Sequence, residues 1–127
     1  MSKYVLDASA LLALLNAEQG AAFVQNLLPD AVISTVNLAE VVTRLSAVGM
    51  PEIAIRETLS ILGLQLIAFD GEQAFQAGFI YSVGKAFGLS LGDRACLALA
   101  RATTAVAVTA DRGWKGLESG IEIQLIR

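Results

Sequence analysis

Five short apolar runs punctuate the chain: Lys3–Leu6 (KYVL), Ala31–Ser34 (AVIS), Leu64–Phe69 (LQLIAF), Ala105–Thr109 (AVAVT) and Ile121–Ile126 (IEIQLI). None is longer than six residues, which suits a buried strand and is too short for a helix. The intervening sequence carries helical patterning over Ala8–Asn16, Gln19–Leu28, Leu38–Val48, Pro51–Leu62, Glu72–Phe87 and Gly92–Ala102. Pro29-Asp30 reads as a turn, Gly49 and Gly63 as helix stops, and Pro51 as a helix start. Gly78 is a weak spot in the fifth helix, which stops near Gly88. Strands that alternate with helices predict an α/β domain with a mostly parallel, five-stranded central sheet flanked by helices. In such sheets, sites gather outside the carboxyl ends of the strands.

No linker, repeat or low-complexity segment divides the 127 residues, so a single domain over 1–127 is expected. The longest charge-free stretches, Thr58–Phe69 and Gln73–Gly84, are twelve residues each, short of the ~18 that span a bilayer. Asp7 interrupts the apolar region a signal peptide would need. The lone Cys96 excludes an internal disulfide framework, and a reducing, cytoplasmic setting is expected.

The chain contains no histidine. That removes Ser-His-Asp and Cys-His nucleophilic catalysis and histidine acid–base chemistry. With a single cysteine it also removes nearly every Cys/His zinc site. An enzyme built from this sequence must use carboxylates, hydroxyls, Lys/Arg or an oxygen-bound metal. The net charge of −3 does not describe a generic basic nucleic-acid binder.

Four acids stand at or near predicted sheet edges. Asp7 follows the first strand in VLDASALLALL, Glu40 lies in ISTVNLAEVVTRL, Asp93 in LSLGDRACLALA and Asp111 in AVAVTADRG. Each has a plain structural account. Asp7 suits a helix N-cap, Asn37 and Glu40 have capping-box spacing, as do Ser90 and Asp93, and Asp111 before Gly113 suits a turn. Taken together, the four make a different pattern. Carboxylates gathered at one sheet edge repel and raise one another's pKa. A hard divalent cation such as Mg²⁺ or Mn²⁺ relieves that repulsion through oxygen ligands and retained waters. Carboxylates, a divalent ion and no histidine point to phosphodiester hydrolysis.

These four segments, in this order from residue 4 to residue 114, resemble the PIN-domain family, and most of all its small VapC-type toxins. The resemblance implies a three-layer PIN-like fold and a Mg²⁺/Mn²⁺-dependent endoribonuclease acting on RNA. It also implies inhibition by a cognate antitoxin and a homodimer. It carries the metal and catalytic role onto Asp7, Glu40, Asp93 and Asp111, with Ser9, Asn37 and Thr109 at supporting polar positions. Many relatives place a further acid or Asn just after the last Asp. Here Arg112, Gly113 and Trp114 follow, so one ordered ion is expected without substrate.

Arg94 and Arg112 each adjoin a site acid, and with Lys115 they are candidate RNA contacts. Trp114 is expected to pack the sheet end and Cys96 to be buried. Phe69, Phe75, Phe79 and Phe87 suit core or a dimer surface. Two other readings stand beside the nuclease. One is a catalytically inactive PIN-like binding module. The other is a haloacid-dehalogenase-like phosphatase, whose second Asp, two residues after the first, is replaced here by Ser9.

Overall fold

A computed structural model describes residues 3–127. The first two positions of the expected 1–127 domain lie outside it. The strands are β1 (Tyr4–Leu6), β2 (Ala31–Ser34), β3 (Gln65–Ile67), β4 (Val106–Thr109) and β5 (Ile123–Leu125). The helices are α1 (Ala8–Leu15), α2 (Ala21–Leu27), α3 (Thr35–Ala47), α4 (Glu52–Ile61), α5 (Gly71–Gly84) and α6 (Leu91–Thr103). Short 3₁₀ turns follow α2, α5 and β4. The sheet order is β3-β2-β1-β4-β5 and every pairing is parallel. The five strands and the flanking helices are those expected.

The central strands β1, β2 and β4 are mostly apolar because they are covered on both faces, as in parallel sheets, while the edge strands β3 and β5 keep exposed residues such as Gln65 and Gln124. Side chains alternate across the sheet. Val5, Val32 and Ala107 point to the side of α5 and α6, where they pack with Ile80, Leu97, Leu99 and Trp114. Their neighbours point the other way. Leu6 and Val108 pack with Ala10, Ala13 and Val24, while Ile33 packs with Leu11, Val41, Leu45 and Ile55. Trp114 is 1% exposed and Cys96 is fully buried, as expected of both. Phe75 and Phe79 are about two-thirds exposed on α5, at 65% and 64%, so they are surface rather than core.

Element ends differ from the sequence reading for local reasons. The third helix starts at Thr35, not Leu38, because the Ser34 hydroxyl accepts the Val36 N–H and caps it. Asn37 and Glu40 therefore lie within α3 and form no capping box. Gly78 does not break α5, whose exposed side tolerates it. The third and fifth strands are trimmed to three residues each, since only the residues facing β2 and β4 find partners. Among the described residues no helix is long and apolar enough to cross a membrane.

Candidate active site at the carboxyl edge of the sheet

Strands β1, β2 and β4 end side by side, and the segments that leave them converge with the start of α6. Asp7, Glu40, Asp93 and Asp111 all line one open cavity of about 580 Å³ at this edge. The topology thus brings together four acids separated by up to about a hundred residues of sequence.

Asp7 occupies the N-cap position of α1, yet its side chain makes no capping hydrogen bond. Instead its Oδ2 accepts the Ser9 hydroxyl at 2.6 Å and the Thr109 hydroxyl at 3.0 Å. The Ser9 Oγ also accepts the Ala110 N–H at 2.9 Å, which ties α1 to the end of β4. Asp7 is 5% exposed, and burial pushes its carboxyl up to about 6. The two hydroxyls pull it down, while the charges of Asp93 and Glu40 push it further up.

Glu40 is held from two directions. Its Oε1 accepts the Asn37 amide at 2.9 Å, one turn earlier on α3. The same Asn37 amide donates to the Gly92 carbonyl at 2.9 Å, joining α3 to the first turn of α6. A Cβ on Gly92 would collide with both carboxylate oxygens of Glu40. Gly92 is therefore part of the site, a role the sequence reading did not give it. Its signal was a poor helix former in the first turn of a helix, immediately before a site acid.

Asp93 has the capping place expected of it and also faces the cavity. It closes a capping box, its Oδ2 accepting the Ser90 N–H at 2.8 Å and its own N–H donating to Ser90 Oγ at 3.2 Å. Burial raises its pKa and the Asp111 charge adds to this, against the lowering by the Ser90 bonds. Asp111 is exposed, and its Oδ1 accepts the Gly113 N–H at 2.8 Å, the turn chemistry expected of it.

Among the described residues no three acids are drawn tightly enough together to form a preformed ion cage. The four ring the cavity instead. Their donors are all hard oxygen atoms, a set that fits a partly hydrated Mg²⁺ or Mn²⁺ held through one or two carboxylates and its own waters. Among the described residues the buried Asn37 Oδ1 has no hydrogen-bond partner.

The basic residues are arranged differently from expectation. Arg94 does not line the cavity. Its guanidinium donates to the Ala77 carbonyl at 3.0 Å and lies 5.6 Å from the centre of the Tyr81 ring, so it is committed to α5. Arg112 and Lys115 are exposed on the turn after Asp111, outside the lining. Arg44, which the sequence reading passed over, is the basic residue that does line it. Its signal was its place four residues after Glu40, on the same helix face. The Cys96 thiol, fully buried below the site, is pushed well up by burial and donates weakly to the Val5 carbonyl.

The PIN domain family model matches residues 4–118, most of the chain. The chain belongs to the PIN-domain family. Solved structures agree in fold. DNA-bound VapBC from Salmonella typhimurium superposes with a TM-score of 0.78 at 21% identity, with all of each chain covered. A toxin–antitoxin complex from Klebsiella pneumoniae gives 0.75 at 17% identity over 98% of each chain. VapBC2 from Rickettsia felis, bound to a promoter DNA fragment, gives 0.75 at 19% identity over 96% of this chain and 97% of that one. No curated protein sequence matches. This PIN domain thus carries its acids at the same sheet edge that its topology leaves open.

Proposed function

We propose that this PIN domain is a metal-dependent endoribonuclease and the toxin of a VapC-type toxin–antitoxin pair. The observation that carries the reading is the convergence of Asp7, Glu40, Asp93 and Asp111, from four separate segments, on one cavity. Three structurally similar chains come from toxin–antitoxin or VapBC complexes, which supports an antitoxin as the partner. The exposed Phe75 and Phe79 on α5 support an assembly with a partner or a second copy.

Bound Mg²⁺ or Mn²⁺ supplies a water made acidic and charge stabilisation at the phosphate and leaving oxygen. Asp7, Glu40, Asp93 and Asp111 are the residues that would hold it. The chain's own contribution is positioning. Ser9 and Thr109 fix the Asp7 carboxylate and favour its charged form. Asn37 fixes Glu40 against Gly92, where no side chain intervenes. Ser90 fixes Asp93 from the cap of α6. Ser9, at the position where a phosphatase of the dehalogenase type needs its second Asp, is instead a donor to Asp7, which argues against that reading.

The test is cleavage of a single-stranded RNA with the ends identified. The expected result is loss of cleavage in EDTA, recovery with Mg²⁺ or Mn²⁺, and products with 5′-phosphate and 3′-hydroxyl ends. Undiminished cleavage in EDTA, or 2′,3′-cyclic phosphate ends, contradicts the reading.

A further inference from the structure

The acid cavity does not end at the carboxylates. Ser9, Leu12 and Arg44 line it and also line a neighbouring cleft of about 260 Å³ between α1 and the end of α3. The two spaces therefore adjoin along these three residues, a groove that leaves the acid quartet beside Arg44. At its far side Arg127 is already paired, donating to Glu18 at 3.1 Å. Arg44 is exposed and, among the described residues, makes no hydrogen bond or ion pair, although Glu40 lies one helical turn away. An unpaired guanidinium thus stands at the exit of an acidic cavity.

We infer that Arg44 forms a phosphate subsite that seats the phosphodiester next to the one held at the acids, so that a single RNA strand runs over α3 along this groove. The inference rests on the nuclease reading. The chemistry requires such a group. A polyanionic strand must approach four carboxylates on a chain of net charge −3. Metal charge at the scissile phosphate does not offset repulsion at its neighbour. A guanidinium presents a planar fork that binds two phosphate oxygens, and an exposed one reaches the strand without being desolvated first. The competing role for Arg44, complementing the dipole at the end of α3, involves stability and no ligand. Arg56 provides the contrast. It is also exposed but is paired with Glu52 at 3.1 Å on α4, away from the acid cavity.

The test measures binding of a short single-stranded oligoribonucleotide to the full chain across a salt series, in Ca²⁺ to suppress turnover, with KM and kcat measured in Mg²⁺. Wild type, Arg44→Ala, Arg44→Lys and Arg56→Ala are compared, with Asp7→Asn as the cleavage control. For Arg44→Ala the expected result is a KM raised about tenfold with kcat within about twofold. The slope of log K against log salt should fall by about 0.7, the share of one phosphate contact on a single strand. Arg44→Lys should recover the slope, and Arg56→Ala should match wild type. A slope and KM for Arg44→Ala equal to wild type overturn the subsite, as does failure of the wild type to bind the strand. A weakened complex with the partner protein at unchanged RNA slope also overturns it, by assigning Arg44 to the partner. Retained cleavage by Asp7→Asn separately contradicts the assignment of cleavage to the four acids, while the slope still decides whether Arg44 carries a phosphate.

Discussion

Thr109 donates its hydroxyl to Asp7 Oδ2 at 3.0 Å across 102 positions of sequence, linking the ends of β4 and β1 inside the site. Thr109 is fully buried, and its Oγ1 also accepts the Asp111 N–H at 3.0 Å. One hydroxyl thereby orients two of the four acids. Thr109→Val keeps the shape and removes both bonds. The expected cost is about 1–3 kcal/mol, because the buried carboxylate loses one of its two hydroxyl donors and the Asp111 N–H loses its acceptor. The Asp7 carboxyl should also titrate higher than about 6, since a bond to its charged form is gone. Urea unfolding and a pH titration of metal binding check the two effects.

Asp7 makes stability depend on pH with a definite sign. Its folded pKa, about 6, lies above its ordinary 3.8, so the folded state binds the proton more tightly. That contribution is fully present below about pH 4 and is lost as pH rises through 6. In chelator, the protein should gain stability as pH falls from 8 towards 5, by about 1.5 kcal/mol for this group, roughly half of what the full shift represents. The upward shift of Asp93 acts in the same direction. Asp7→Asn should flatten most of this dependence and be the more stable protein at pH 8. Urea midpoints measured from pH 5 to 8 distinguish the two proteins.

Ser90 and Asp93 allow capping to be separated from the site. Ser90→Ala removes the hydroxyl that caps α6 and should cost about 1 kcal/mol while leaving all four carboxylates in place. Asp93→Asn keeps a side-chain oxygen for the Ser90 N–H and should cost little stability. Cleavage should behave the opposite way, largely retained in Ser90→Ala and lost in Asp93→Asn. Thermal denaturation and RNA cleavage on the same two variants provide the check.

Gly92→Ala should act on cleavage rather than on stability. Alanine inside a helix is ordinarily better than glycine by about 0.5–1 kcal/mol. Here the nearest atoms to the added Cβ are the carboxylate end of Glu40, which is flexible and can move aside, so the fold survives. The expected outcome is stability within about 1 kcal/mol of wild type and cleavage reduced tenfold or more. A variant that cleaves normally would show that Glu40 does not need its place over α6.

The fold was legible because its strands are short, apolar and spaced by helices, a pattern that the parallel sheet imposes on buried strands such as Val5-Leu6 and Ala107-Val108. The acids were legible through their places at or near strand ends, and the local accounts held for Asp93, which closes a capping box, and Asp111, which makes its turn, but not for the Asp7 side chain or for Asn37 and Glu40. What spacing could not reveal was which account applied. Asn37 and Glu40 have the separation of a capping box, yet Ser34, three residues earlier, takes the cap and frees them to meet Gly92. Arg94 stands next to a site acid in sequence but points to α5, because successive residues of a helix face different ways. Arg44 and Gly92 were missed for the converse reason. Their place at the cavity depends on the packing of α3 beside α6 and α1, which a glycine in a first turn and a spacing of four residues hint at but do not specify.

The most direct test of the shared site is thermal denaturation of wild type, Asp7→Asn, Glu40→Gln and Asp93→Asn, with and without Mn²⁺. At a free ion concentration ten times Kd, the wild type should gain about 1.4 kcal/mol, from RT ln(1 + [L]/Kd). For a domain of this size that is a rise in Tm of several degrees. Each variant should fold, show metal-free stability equal to or above that of wild type, and lose most of the Mn²⁺ shift. If all three keep the full wild-type shift, the four carboxylates do not act as one metal site and the account is contradicted.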